Sequence, residues 1–354
     1  MTARRVAILL VAAIVVVAFA IWLSSQRHLE RATLTGDLVL PGLKNDLNTV
    51  TEVRLTKADQ THTTLKKGST DWVVGERDYP ADSGKIRKFL LDLGELNVVE
   101  EKTHTAANYP LLGVEDTTSP KATGTRVALV TSSKVYELIV GKNSGGKSGY
   151  VRVPTQEQAL LAAPSLTVEA DPKHWLDHTL IDIAQERVKA VDEKPAEGPA
   201  AYTVSREKKE QSDFTVSNIP KGRELSSPVA ADPIAGALGG MTLDDVHKAG
   251  APAADAKVSH AVYHTFDGLD VDVAGRKDGN HDLVTFAVHS TAKETEAEAQ
   301  KLTTQLTGWE YELPSYKYDS IFRSQEELLK PVEPPKKAEK PGEKSKAGKG
   351  KKVD

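Results

Sequence analysis

An α+β fold is what this sequence predicts: two tandem repeats of an antiparallel sheet with a packed helix, preceded by one transmembrane helix. Three observations lead there. Short stretches alternate polar and apolar residues, as in Glu52-Val53-Arg54-Leu55, the pattern of a strand in a sheet with one wet face. Two segments place apolar residues at i, i+3, i+4 and i+7, the stripe of a helix lying on a core. The order of these segments then recurs once along the chain.

The chain opens with an uninterrupted apolar run from Val6 to Leu23. Eighteen residues at helical rise cover about 27 Å, enough for a bilayer core. Arg4 and Arg5 precede the run, so residues 1–5 are expected in the cytoplasm. Arg27 and Arg31 oppose that bias, and Glu30 offsets part of their charge. Trp22 stands where an interfacial aromatic would hold the outer end. The competing reading is a cleavable leader cut near Ala20, because Ala18-Phe19-Ala20 has the A-x-A pattern. Against it, the apolar run continues through Ile21-Trp22-Leu23. Both readings export the remainder. The expected location is therefore single-pass in the inner (cytoplasmic) membrane, with the bulk periplasmic or extracytoplasmic.

The chain has no cysteine. Disulfides, thiolate zinc sites, cysteine nucleophiles and a lipidated cysteine anchor are thereby excluded. A net charge of -4 points neither toward nor away from nucleic acid, and 5% aromatic residues argues against an aromatic-lined sugar groove. After the anchor (6–23), residues 24–47 read as a linker, 48–185 as the first α+β module and 186–329 as the second. Residues 330–354 are rich in lysine and proline, with valine as their largest apolar side chain. Such a segment cannot bury enough surface to offset its ordering entropy, so a solvated tail is expected.

In the first module, Asp71-Trp72-Val73-Val74 reads as a strand, followed by a helix with Ile86, Phe89, Leu90 and Leu93 on one face, capped by Asp82 or Ser83. In the second, Asp213-Phe214-Thr215-Val216 precedes a helix with Ile234, Ala237, Leu238 and Met241, opened by Asp232-Pro233. Three strands follow in each copy. They are Thr125 to Val130, Val135 to Val140 and Tyr150 to Val153, then His260 to Thr265, Leu269 to Ala274 and Leu283 to Val288. A glycine-rich turn joins the second and third, Gly141 to Gly149 in one copy and Gly275 to Gly279 in the other. Trp175-Leu176-Asp177 and Tyr318-Asp319 close the copies.

These residues resemble a known family. The series GDLVLPGLKNDLNTVTEVRL from Gly36, DWVV from Asp71, YPADSGKIRKFLLDLGELNVVEEKT from Tyr79 and NYPLLGVED from Asn108 is similar to the family catalogued as domain of unknown function 4340. VYELIVG from Val135, GYVRV from Gly149 and WLDHTLIDI from Trp175 continue the likeness. It covers most of Gly36 to Val191 and, more weakly, the second copy to about Leu329. The resemblance implies a membrane-anchored bacterial envelope protein, often encoded beside ABC-transporter components like those of gliding-motility export systems. It carries over no catalytic residues.

Local motifs for chemistry are few. Gly141 to Ser148 satisfies G-x-x-x-x-G-K-[ST] letter for letter. A phosphate-binding loop, however, needs a helix to begin at the Lys-Ser pair, and Gly149-Tyr150-Val151-Arg152-Val153-Pro154 reads as a strand. A hairpin turn is expected instead. His174 and His178, four apart with Asp177 beside them, would share a face on a helix and could hold a metal, but the glutamate of H-E-x-x-H is missing. His260 and His264 have the same spacing on an expected strand, where about 7 Å per two residues puts them too far apart for one ion. Asp71 and Asp213 could be imagined as paired carboxylates, yet their equivalent positions favour a turn role. No G-x-S-x-G elbow occurs.

The sequence therefore assigns no catalytic, cofactor-binding or metal residues and expects no cofactor. The expected function is a non-enzymatic membrane-anchored extracytoplasmic accessory protein, an auxiliary component of an ABC-type export or gliding-motility-like envelope system. Its expected partners are the membrane and transporter subunits or other envelope proteins, with no nucleic acid. The alternative is an envelope ligand-binding or scaffold module that works without a transporter.

Overall fold

The computed structural model describes residues 36–331 apart from 198, 199, 252 and 254. The apolar segment at 6–23 and all but the first two residues of the lysine-rich tail lie outside the described residues. Among the described residues no helix is long and apolar enough to cross a membrane. The chain forms two compact units. One runs to His178 and includes Asp244–Lys248; the other comprises Thr179–Leu243 and the chain from Ala249. Antiparallel sheets dominate and helices are few, an α+β architecture rich in sheet.

The first unit contains β1 (Val50–Thr56), β2 (His62–Lys67), β3 (Trp72–Val74), β4 (Tyr79–Pro80), helix α1 (Ser83–Gly94), β5 (Asn97–Glu101), β6 (Thr125–Thr131), β7 (Val135–Asn143), β8 (Gly149–Arg152) and β9 (Ala159–Ala163). Its sheet runs β4-β3-β2-β1-β6-β7-β8-β9-β5. Folding begins ahead of β1, within the stretch the sequence assigned to a linker. Leu43 is fully buried. Val98 N–H donates to Asp37 C=O at 2.9 Å and Val39 N–H to Leu96 C=O at 2.9 Å, so this stretch covers part of the β5 edge.

Helix α1 forms where the stripe predicts. Asp82 caps it by accepting from Lys85 N–H at 2.9 Å. Ile86, Phe89, Leu90 and Leu93 are buried, whereas Leu91 is 49% exposed. Phe89 packs on Trp175 with ring centroids 5.4 Å apart, and Trp175 anchors its indole by donating to Glu169 C=O at 2.8 Å.

The second unit contains β10 (Thr179–Ile181), β11 (Val188–Lys194), β12 (Tyr202–Ser205), β13 (Thr215–Val216), helix α2 (Asp232–Ala235) and β14 (Met241–Thr242). Strand β15 (Asp245–Lys248) belongs to the first unit. The second unit resumes with β16 (Ser259–Thr265), β17 (Leu269–Asp278), β18 (His281–Ser290), helix α3 (Glu296–Leu306), β19 (Trp309–Glu312) and helix α4 (Ser315–Ile321). Its strands run β13-β12-β11-β16-β17-β18-β19, and β10 pairs with β14 apart from them.

The two sheets share more than strand order. In β1 the pairing with β6 slips between Val50, opposite Thr131, and Glu52, opposite Val130. In β11 the pairing with β16 slips between Val188, opposite Thr265, and Ala190, opposite His264. Each strand thus carries a β-bulge after its first residue, which turns Val50 or Val188 to the same face as the later buried residues. The burial patterns of β1 and β11 agree through their first six positions. Thr131 and Thr265, opposite the bulges, each close the next turn through their hydroxyls. Thr131 accepts from Lys134 N–H at 3.1 Å, and Thr265 from Leu269 N–H at 2.7 Å.

Two expectations are corrected, and one helix appears that the sequence did not mark. The helix expected over Ile234 to Met241 ends at Ala235. All four stripe residues are buried, but Gly236, Gly239 and Gly240 carry the chain through turns, and Gly240 has φ +51°. Successive tight turns bury the same spacing that a helix would. The glycine-rich turn at Gly275–Gly279 shrinks to its end, because β17 continues to Asp278. Gly275 serves packing instead: a Cβ there would lie 2.1 Å from the Phe322 ring. Finally, α3 lies where the sequence signalled no helix, and it rests on β18 through Ala299, Leu306 and a Thr303 hydroxyl donating to Val288 C=O at 3.2 Å.

Ile86→Ala is expected to destabilise the first unit by about 3 kcal/mol, the cost of a cavity at a fully buried site. Leu91→Ala on the same helix should change it by less than about 0.5 kcal/mol. Urea titration read by hydrogen exchange of the β1 and β6 amides separates the two.

Candidate functional site

The segment matching the phosphate-loop pattern is a hairpin. β7 runs through Asn143, β8 begins at Gly149, and Ser144 N–H donates to Ser148 C=O at 3.1 Å across the turn. Gly145 and Gly146 take φ of +90° and +77°, which tight reversal requires. Lys142 donates to Pro110 C=O at 3.0 Å and Leu111 C=O at 3.2 Å, so its ammonium serves the fold. No helix begins at Lys147-Ser148, and the N-terminal dipole that holds phosphate is missing there.

His174 and His178 do not share a helix. Pro172–Trp175 is a single 3-10 turn, started by Asp171 accepting from Lys173 N–H, and the chain is extended beyond it. The two histidines line one open depression of about 360 Å³ with Glu169, Asp171 and Lys173. His174 also lines a smaller cavity of about 180 Å³, with Lys85, Lys88, Ser165 and the Phe89–Trp175 pair on its walls. Burial and the neighbouring Lys85 charge hold the His174 imidazole below its ordinary pKa, which favours the neutral ring. Lys85 donates to His174 C=O at 2.5 Å. The cavity is lined by groups that hold one another in place.

A denser polar cluster surrounds β15. Asp245, only 3% exposed at its side chain, accepts two hydrogen bonds from Arg77 at 2.7 and 2.9 Å. Lys173 lies 3.4 Å and His247 3.6 Å from Oδ2, the oxygen that also takes the second Arg77 bond. Burial pushes the Asp245 carboxyl up, but the Arg77 hydrogen bonds, Val246 N–H and the Arg77 and Lys173 charges outweigh it and hold the group below its usual range. Lys248 pairs with Asp78 at 3.0 Å. These pairs bind the Asp244–Lys248 segment into the first unit.

On the wet face of the second sheet, His264 stands between Asp270 at 3.0 Å and Asp192 at 3.3 Å. His260 faces Asp272 at 3.7 Å. Each histidine thus answers acidic residues on adjacent strands. Asp71 and Asp213 both sit in turns ahead of β3 and β13: Asp71 C=O accepts from Gly68 N–H, and the Asp213 carboxylate accepts from Ser212.

Sequence reasoning missed the most anomalous residue, Glu193. It is 2% exposed on the inner face of β11, in register with Tyr202 and Ala261, and its Oε1 has no hydrogen-bond partner among the described residues. Burial, with a smaller push from Asp192, raises its carboxyl to about 9. A signal was present: Glu193 shares the parity of Val191 in an alternating strand, which directs it inward. Arg152 and Arg206 are buried too, but their guanidinium groups donate to backbone carbonyls and stack on Tyr109 and Phe214. They are structural.

A family model described as Domain of unknown function (DUF4340) matches residues 72–260, more than half of the 354 residues. The chain belongs to this family. No curated protein and no solved structure matches it.

Asp245→Asn should destabilise the first unit by about 3 kcal/mol, because it leaves Arg77 without its carboxylate in a mostly dry setting. A depressed carboxyl stabilises above its unfolded value, and that contribution is lost as pH falls through the folded pKa. Hydrogen exchange of α1 amides should accordingly show wild type losing its advantage over Asp245→Asn below about pH 4.

Proposed function

We propose that this chain is a membrane-anchored extracytoplasmic accessory protein that works by contact rather than catalysis, as an auxiliary component of an ABC-type export or gliding-motility-like envelope system. The observation that carries the reading is the apolar run Val6 to Leu23 behind Arg4-Arg5, set ahead of a large sheet-rich region. Family membership supports it, since the resemblance implies envelope proteins associated with transporter components. The shared strand order, matching bulges and equivalent threonines support two copies of one module. Duplicated sheets with polar wet faces suit a role in presenting surfaces to partners, and the polar clusters at Asp245 and His264 are met by partners within their own unit.

Affinity purification of the full chain from membranes in mild detergent tests the proposal. Transporter permease and ATPase subunits are expected to co-purify. Recovery of wall glycan alone would favour the transporter-independent scaffold instead, and turnover of ester, peptide or glycoside substrates by the purified chain would overturn both.

A further inference from the structure

Glu193 has an internal control in the first unit. Leu55 occupies the sixth position of β1 and Glu193 the sixth position of β11, each following a bulge after the first residue and each buried. Leu55 faces Thr63 and Val127 across its two neighbours, and Glu193 faces Tyr202 and Ala261. The architecture is satisfied by a leucine at this place. A carboxyl there, with Oε1 unpartnered, is a cost that packing does not require.

Its surroundings are also distinctive. Tyr263, where β6 has Leu129, is fully buried and donates to Ile234 C=O at 3.1 Å. Tyr202 donates to the carbonyl of Arg323. Arg323 opens the C-terminal strap, the stretch from Arg323 to Lys330 that follows α4. Gln325 of the strap donates to Ser217 C=O at 2.7 Å, Leu329 bridges Leu225, and Arg223 grips Glu326 at 2.8 Å. The ionisable groups around the site are Asp192, next to it in the strand and turned to solvent, Tyr202 on β12, Tyr263 on β16, and Arg323 with Glu327 on the strap. Arg323 Nε is itself buried without a hydrogen bond, its nearest carboxylate being Glu327 at 4.0 Å.

We propose that Glu193 is a proton-dependent latch in the second unit: carrying its proton it lets the Arg323–Lys330 strap close through Tyr202, and losing the proton it loosens that closure. A neutral acid beside two tyrosines is tolerated in a dry core, but a carboxylate there has no cation in hydrogen-bond reach among the described residues and must be rehydrated. Tyr202, in register with Glu193, is tied to the strap through the Arg323 carbonyl, so admitting water past it loosens the strap. The direction follows from linkage. Glu193 holds its proton more tightly when buried than when solvated, so closure is strongest at low pH and weakens as pH rises from the solvated toward the buried value.

Hydrogen exchange of the full chain in detergent, expressed as protection factors between pH 5.5 and 8.5, reads this directly. Strap amides from Gln325 to Leu329 should lose protection with rising pH, by up to about tenfold per pH unit. Amides of α1 in the first unit provide the reference and should hold theirs above about pH 7, where the neighbouring His174 stays neutral in both folded and unfolded chains. Glu193→Gln, which keeps the shape without the titration, should flatten the strap profile. Glu193→Leu, which installs the residue of the first unit, should flatten it as well and serves if the glutamine variant fails to fold. Strap protection that is independent of pH in wild type, or a slope that persists in either folded variant, would overturn the latch.

Discussion

Each unit depends on one constraint: an antiparallel sheet of which only one face can be buried, with its register set at a bulged central strand. Once Val50 or Val188 is turned inward by the bulge, the later inward residues of that strand are determined, Val53 and Leu55 in one and Val191 and Glu193 in the other. A one-residue slip would exchange the faces of the strand. It would bury Arg54 or Asp192, which now lie toward solvent. The covering elements differ between the units because this requirement is indifferent to what supplies the lid. The first unit uses the twelve-residue α1, and the second uses a glycine-rich coil and the segments around α4.

Much of this was legible along the chain, for reasons that can be traced to particular residues. Alternation and β-branched content marked the strands on both sides of the hairpins, and the apolar stripe of α1 survived because Asp82 caps the helix and no glycine falls between Ile86 and Leu93. The second stripe misled because burial at i, i+3, i+4 and i+7 is also achieved by consecutive turns, and the glycines at 236, 239 and 240 were the competing signal. Helix α3 was hidden by its composition: Ala299 and Leu306 are its buried residues, so it shows little stripe. The bulges left no local mark, since a bulge is a relation between two strands rather than a property of one.

The candidate sites were legible in a different way. The Gly-Lys-Ser pattern and the His174/His178 spacing were visible, but each borrows its meaning from a following helix that the fold does not provide. Conversely, Asp245 draws its role from Arg77, far away in the chain, and no window of sequence contains both. Glu193 could be placed on the inner face from alternation alone. What could not be read was that no cation among the described residues comes within ion-pair distance of it, so burial, with the smaller push from Asp192, sets how firmly its proton is held.

A contact-based role outside the cytoplasm rests above all on the side of the membrane that the two units occupy. The absence of cysteine makes this directly measurable, because a single introduced thiol is the only one in the chain. Leu111→Cys in the first unit and Tyr316→Cys in the second lie at positions 71% and 66% exposed. Labelling intact spheroplasts with a membrane-impermeant maleimide should modify both variants to the same extent as labelling after lysis. Protection of both thiols until the membrane is broken would place the units in the cytoplasm and contradict the account.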